Sequence, residues 1–148
     1  MKVKAFGKIN LTLDVTGRRE DGFHLLDTVM QSVTVWDELE IQRSHEPGVH
    51  LQCSRESLPV DTKNTAFRAA KFFLEDQGLG DQGVYIFIRK HIPARSGMGG
   101  GSADAAAVLW GLNYMFSANL KVEKLMELGA RVGSDVPFCV VGGAARCT

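Results

Sequence analysis

The 148-residue chain is 45% hydrophobic, enough for one domain with a core of its own. Its 17 basic residues cancel its 17 acidic ones, so no global field draws it to nucleic acid or to an anionic membrane. No apolar run approaches the roughly 20 residues of a membrane span, and the N-terminus lacks a signal-peptide core. Three cysteines (Cys53, Cys139, Cys147) without metal-ligand spacing point to a reducing cytoplasm.

In chain order, residues 3–6 and 9–15 alternate apolar and polar side chains, giving strand patterns on either side of Gly7-Lys8. A two-glycine turn at 17–22 follows, then strand patterns at 28–36, 38–41 and 49–53. Residues 61–64 supply capping side chains for a helix with Ala66, Ala70, Phe73 and Leu74 on one face, stopped near Gly78. A strand at 84–88 precedes a glycine-rich loop and a helix from about 102 to 115, whose Ala103, Ala106, Ala107 and Trp110 form a packing stripe. A third helix spans 121–131, with Val122, Leu125 and Met126 inward. A turn at 134–137 leads into the apolar run 136–141, where Cys139 reads as a small core residue. The fold class is α+β. Residues 142–148 read as a strand being entered, so this chain is expected to be the first half of a longer protein.

The loop Pro93-Ala94-Arg95-Ser96-Gly97-Met98-Gly99-Gly100-Gly101-Ser102 is the most informative stretch. It lies between a strand and a helix, where side-chain-free backbone lets successive N–H groups point at one anion at the positive end of the helix. A Walker A loop would need a lysine, and none occurs between Lys90 and Lys121. A dinucleotide or protein-kinase fingerprint fits Gly97 and Gly99 but fails at Ser102, and the acidic residue after a second strand is missing. The pattern that fits resembles the nucleotide loop of the galactokinase, homoserine kinase, mevalonate kinase and phosphomevalonate kinase superfamily.

Two further residues stand out. Lys8 places a charge between two strand patterns, where a solvated strand start is the plain reading. Asp135, ahead of Pro137, reads on its own as a helix N-cap. Both fall in a wider frame: Lys-Ile-Asn-Leu-x-Leu-x-Val-x-Gly-Arg-Arg-x-Asp-Gly-Phe-His over 8–24, the loop, and Gly-Ser-Asp-Val-Pro-Phe over 133–138. The frame closely resembles the 4-diphosphocytidyl-2-C-methyl-D-erythritol kinase family along essentially the whole chain. The resemblance implies the N-terminal, ATP-binding domain of that superfamily over 1–148, similar to the second domain of ribosomal protein S5, with a C-terminal domain lying outside this chain.

It also implies roles. Lys8 and Asp135 would meet where the γ-phosphate of ATP reaches the 2-hydroxyl of the methylerythritol moiety, Asp135 as general base and Lys8 as its charge partner. Residues 93 to 103, ending at Ala103, would hold the ATP phosphates. Asn10 would position the acceptor hydroxyl or a phosphate, Phe23 would stack on the cytosine in place of the usual tyrosine, and His24 would read the base edge. Lys90 and Asn64 would border the adenine or ribose. Mg²⁺ would bridge phosphate oxygens, with Ser102 and Asp104 as candidate ligands; a first-turn acid facing the helix dipole explains Asp104 equally well. Gly7, Ser96, Met98, Ala103 and Ser134 depart from the commoner family residues, and Ala103 removes a hydroxyl from beside the phosphates. The competing readings are another small-molecule kinase of the superfamily, a nucleotide-binding fragment without turnover, and an RNA-binding module. The zero net charge opposes the last.

Overall fold

The computed structural model describes residues 1–18 and 24–147. A mixed sheet contains β1 (Lys2–Arg18), β2 (His24–Ser44), β3 (Gly48–Cys53), β4 (Gly83–Arg89) and β5 (Ala144–Cys147). The strand order is β1-β2-β4-β3, with β5 also paired to β2. The β3–β4 pair is parallel and the other pairs are antiparallel. A parallel neighbour cannot be reached by a hairpin, and α1 (Thr65–Asp76) provides the crossover. Three more helices follow β4: α2 (Gly100–Met115), α3 (Val122–Val132) and α4 (Val136–Val141).

The strand patterns join into longer elements than the alternation predicts. Gly7-Lys8 does not interrupt β1; the pairing register shifts between Phe6 and Lys8. Such a shift re-aims side chains without ending the strand, and Lys8 turns inward to 4% exposure. The patterns at 28–36 and 38–41 are one strand, because Asp37 accepts hydrogen bonds from the His91 and Ile92 amides rather than turning its own chain. The run at 136–141 is a short helix, an assignment that periodicity over six residues does not make. Residues 144–147 form β5, in keeping with the strand-like ending.

Leu39 and Ile41 of β2, with Ile86 and Ile88 of β4, present the apolar face of the sheet to the helices. α1 buries Ala66, Ala70, Phe73 and Leu74 as its spacing predicts, and Asn64 caps it by accepting from the Ala66 amide. In α3, Leu125 is buried together with Leu128 and Val132, while Val122 and Met126 are only partly covered. α2 departs from its expected single stripe. Ala103 through Leu109 are buried, so the helix is enclosed by the sheet and by α1, α3 and α4. Trp110 lies at the rim, half exposed, its Nε1 donating to the Val140 carbonyl at 3.0 Å. This buried helix supports the site at its N-terminus.

Candidate active site

The loop leaves the end of β4 and enters α2 through a series of left-handed backbone positions: Arg95 at φ 59°, Gly97 at 76° and Gly99 at 65°. Glycine adopts that region without penalty, which is why two of the three are glycines. α2 begins at Gly100, two residues before the expected start, with Gly99 as its N-cap. The first helical hydrogen bond runs from the Ala103 amide to the Gly99 carbonyl at 2.8 Å, so helix geometry leaves the amides of Gly100, Gly101 and Ser102 without intrahelical acceptors. They face a cleft of about 390 Å³ lined by every residue from Pro93 to Ser102. Ala103 is off that lining. It is buried on the other side of α2, near Phe6, Trp110 and Cys139.

The opposite wall includes Lys63, Asn64 and Thr65, which bring the start of α1 to the same cleft. Thr65 Oγ1 donates to the Gly101 carbonyl at 2.6 Å, and a Cβ on Gly101 would sit 2.9 Å from that oxygen. Two helix N-termini therefore point at one space, each with a partial positive charge.

Lys8 crosses the loop from the β1 side. Its amide donates to the Met98 carbonyl at 2.9 Å, and its side chain lies over Gly99, where a Cβ would be 3.1 Å from Lys8 Cγ and Cε. Its Nζ reaches Asp135 Oδ2 at 3.1 Å and donates to Asn10 Oδ1 at 3.2 Å. Asp135 occupies the N-cap position of α4 but makes no side-chain cap bond, so its carboxylate faces Lys8 instead of the helix. The structure thus brings together Lys8, Asn10, Asp135 and the glycine loop from three separate stretches of sequence. His24 opens β2 opposite Arg18, and Phe23 lies outside the described residues. Cys139 stands near this group, its thiol pushed up to about 12 by burial and then by the Asp135 charge, which keeps it protonated and unreactive.

Beneath the loop lies a buried ion group. Lys90 Nζ pairs with Asp37 and, at 2.7 Å, with Asp104 Oδ2. Burial raises the Asp104 carboxyl to about 7, against the opposing pull of the Lys90 ammonium. Because α2 starts at Gly100, Asp104 lies beyond the first turn and is buried, so it is not a first-turn acid facing the helix dipole, and Lys90 is held by carboxylates at the floor of the cleft. Asn64 caps α1 while also lining the cleft. Sequence reasoning missed Asp37 and Thr65. Asp37 had a readable signal, since it is in phase with the core positions Leu39 and Ile41, where a charge is out of place. Thr65 had none.

A strand, a glycine turn at a helix start and a Lys–Asp pair beside it thus lie together, an arrangement suited to holding an anion. The family model described as GHMP kinases N terminal domain matches residues 64–143, and the chain belongs to that family. A 4-diphosphocytidyl-2-C-methyl-D-erythritol kinase from Caldicellulosiruptor bescii is 50% identical over 147 residues, which cover 99% of this chain and 51% of the relative. One from Clostridium botulinum (strain Eklund 17B) is 45% identical, with 99% and 52% covered. The chain spans about half the length of these curated relatives. A crystal structure of 4-(cytidine 5'-diphospho)-2C-methyl-D-erythritol kinase superposes with a TM-score of 0.83 at 38% identity, covering 99% of this chain and 51% of the other. The mevalonate kinase of Methanococcus jannaschii shares the fold, with a TM-score of 0.77 at 15% identity over 100% of this chain and 53% of its own.

Proposed function

We propose that this chain is the ATP-binding half of a kinase that phosphorylates the 2-hydroxyl of 4-diphosphocytidyl-2-C-methyl-D-erythritol, a step of isoprenoid precursor synthesis by the non-mevalonate route. The observation that carries the reading is the Lys8–Asp135 contact at 3.1 Å, set against the amide-lined glycine loop, in a chain about half identical to kinases of that name. The exposed amides of Gly100, Gly101 and Ser102 hold phosphate oxygens, with the α2 dipole behind them. The acceptor oxygen attacks the γ-phosphorus in line as the bond to the departing ADP oxygen breaks, and Asp135 accepts the hydroxyl proton. Lys8, 3.1 Å from the Asp135 carboxylate, orients it and offsets charge on the transferring group. Asn10, bonded to Lys8, orients the acceptor, while Phe23 and His24 recognise the cytosine.

Among the described residues no cluster of three or more His, Cys, Asp or Glu side chains could hold a metal unaided. The donor set suits an ion carried mainly by nucleotide oxygens: the Ser102 hydroxyl is a hard oxygen on the cleft lining, whereas Asp104 is turned into its pair with Lys90. Mg²⁺ bound there would supply charge neutralisation to the nucleotide phosphates.

The test is ADP release from ATP and Mg²⁺ with the cytidyl substrate, alongside calorimetric ATP binding. Asp135→Asn is expected to lower turnover by about 10²- to 10⁴-fold while leaving ATP affinity within about twofold. Unchanged turnover would remove Asp135 from the mechanism, and a folded chain that does not bind ATP would overturn the reading. Binding without turnover would favour a nucleotide-binding half that needs a second domain, a reading supported by the half-length coverage of the relatives. Competition by cytidine nucleotides separates this substrate from those of other superfamily kinases.

A further inference from the structure

We propose that Asp37, Lys90 and Asp104 form a buried ion clamp that fixes both ends of the glycine loop, with Lys90 as the positioning residue of the phosphate cradle. The three come from different elements: Asp37 from the middle of β2, Lys90 from the exit of β4, and Asp104 from the second turn of α2. Asp37 is fully buried, and the Lys90 and Asp104 side chains are each 5% exposed. Asp37 Oδ1 accepts the amides of His91 at 2.5 Å and Ile92 at 2.8 Å, which sets the chain direction entering the loop. The Lys90 amide is held in turn by Ser54 Oγ at 3.0 Å. At the other end, Lys90 Nζ donates to Asp104 Oδ2 at 2.7 Å and ties down the start of the second turn of α2. A Cβ on Gly100 would lie 3.2 Å from that Nζ and 3.1 Å from Ile92 Cγ2, so the clamp is seated directly under the anion-facing amides.

A buried ion group is a poor source of stability, because desolvation offsets much of the attraction, and well-packed apolar side chains can do as well. The clamp also sets two acidic side chains against one ammonium beneath a site for phosphate, so it offers no net positive charge for direct attraction. Asp104 Oδ1 has no hydrogen-bond partner among the described residues. What the arrangement supplies is geometry: one ammonium joins the entry of the loop to its exit and leaves only 93–99 to vary between them.

The experiment compares the full chain with Asp104→Leu, Asp104→Asn and the charge-balanced pair Lys90→Met with Asp104→Leu. Amide hydrogen exchange and ATP affinity are measured, with the exchange of α3 as an internal reference. The clamp predicts at least tenfold faster exchange at 103–106, whose amides are the first bonded ones of α2, and at least tenfold weaker ATP binding in Asp104→Leu and in the charge-balanced pair, while α3 is unchanged. Asp104→Asn, which retains an acceptor for Lys90, should stay within about twofold of the parent in both. If Lys90 instead acted by direct charge on the phosphates, Asp104→Leu would bind ATP more tightly, and that result overturns the proposal. Wild-type exchange at 103–106 in the charge-balanced pair also overturns it, even if Asp104→Leu alone fails to fold. The affinity arm rests on the nucleotide reading of the cleft and the exchange arm does not, so the two can fail separately.

Discussion

Gly100 shows how little room the site allows. Its missing Cβ faces Lys90 Nζ at 3.2 Å and two atoms of Ile92 at 3.1 and 3.3 Å, so a branched side chain would have to displace the floor of the cleft or move the amides above it. Gly100→Val is expected to weaken ATP binding by more than 100-fold, measured by calorimetry on protein with a native circular dichroism spectrum; tight binding would refute the cradle. Cys139 permits a chemical check. With its thiol raised to about 12, it should resist iodoacetamide at pH 8 in the folded chain and react once the chain is unfolded in urea, as read by peptide mass spectrometry. At this scale much of the site was legible. Lys8, Asp135 and the glycines could be named because their motifs have fixed spacing. Ala103 could not be placed correctly, since a residue counted with the loop can project to the far side of a helix that starts beneath it.

Between elements, α2 approaches β2 closely. A Cβ on Gly111 would lie 2.6 Å from Ile41 Cδ1, so the helix packs this close only because that position is glycine. Gly111→Ala should cost about 1–3 kcal/mol of stability by urea denaturation, since Ile41 must leave its rotamer. Gly83→Ala should cost more, because its Cβ would fall on the Glu46 carbonyl, which is backbone and cannot rotate away. The amphipathic helices α1 and α3 were readable from their period. α2 was not readable in detail, because a helix enclosed on nearly all sides carries no stripe, and its alanines record close packing without direction. The joining of the β2 patterns was hidden for a different reason: the acid that looked like an interruption is satisfied by amides 54 and 55 residues further along the chain.

For the molecule as a whole, part of β1 is left outside the helix-covered sheet. Leu11, Leu13 and Val15 alternate along one face and are each more than half exposed. Contiguous exposed apolar side chains of this kind mark surfaces that other groups cover. The chain should bind a hydrophobic dye, and replacing all three with lysine should reduce that fluorescence without altering the circular dichroism; equal fluorescence would show that the dye reports another surface. The sheet order was beyond sequence reading, because pairing of β2 with both β4 and β5 depends on contacts far apart in the chain.

The enclosure of α2 has a thermodynamic consequence. A loop that becomes ordered only around its ligand loses conformational entropy at each binding event, and that loss is subtracted from affinity. Here the helix that begins at the glycine loop is ordered by the folding of the core, so most of that loss is incurred once, when the chain folds. An anion entering the cleft would therefore meet amides already fixed in place, at no further ordering cost to α2.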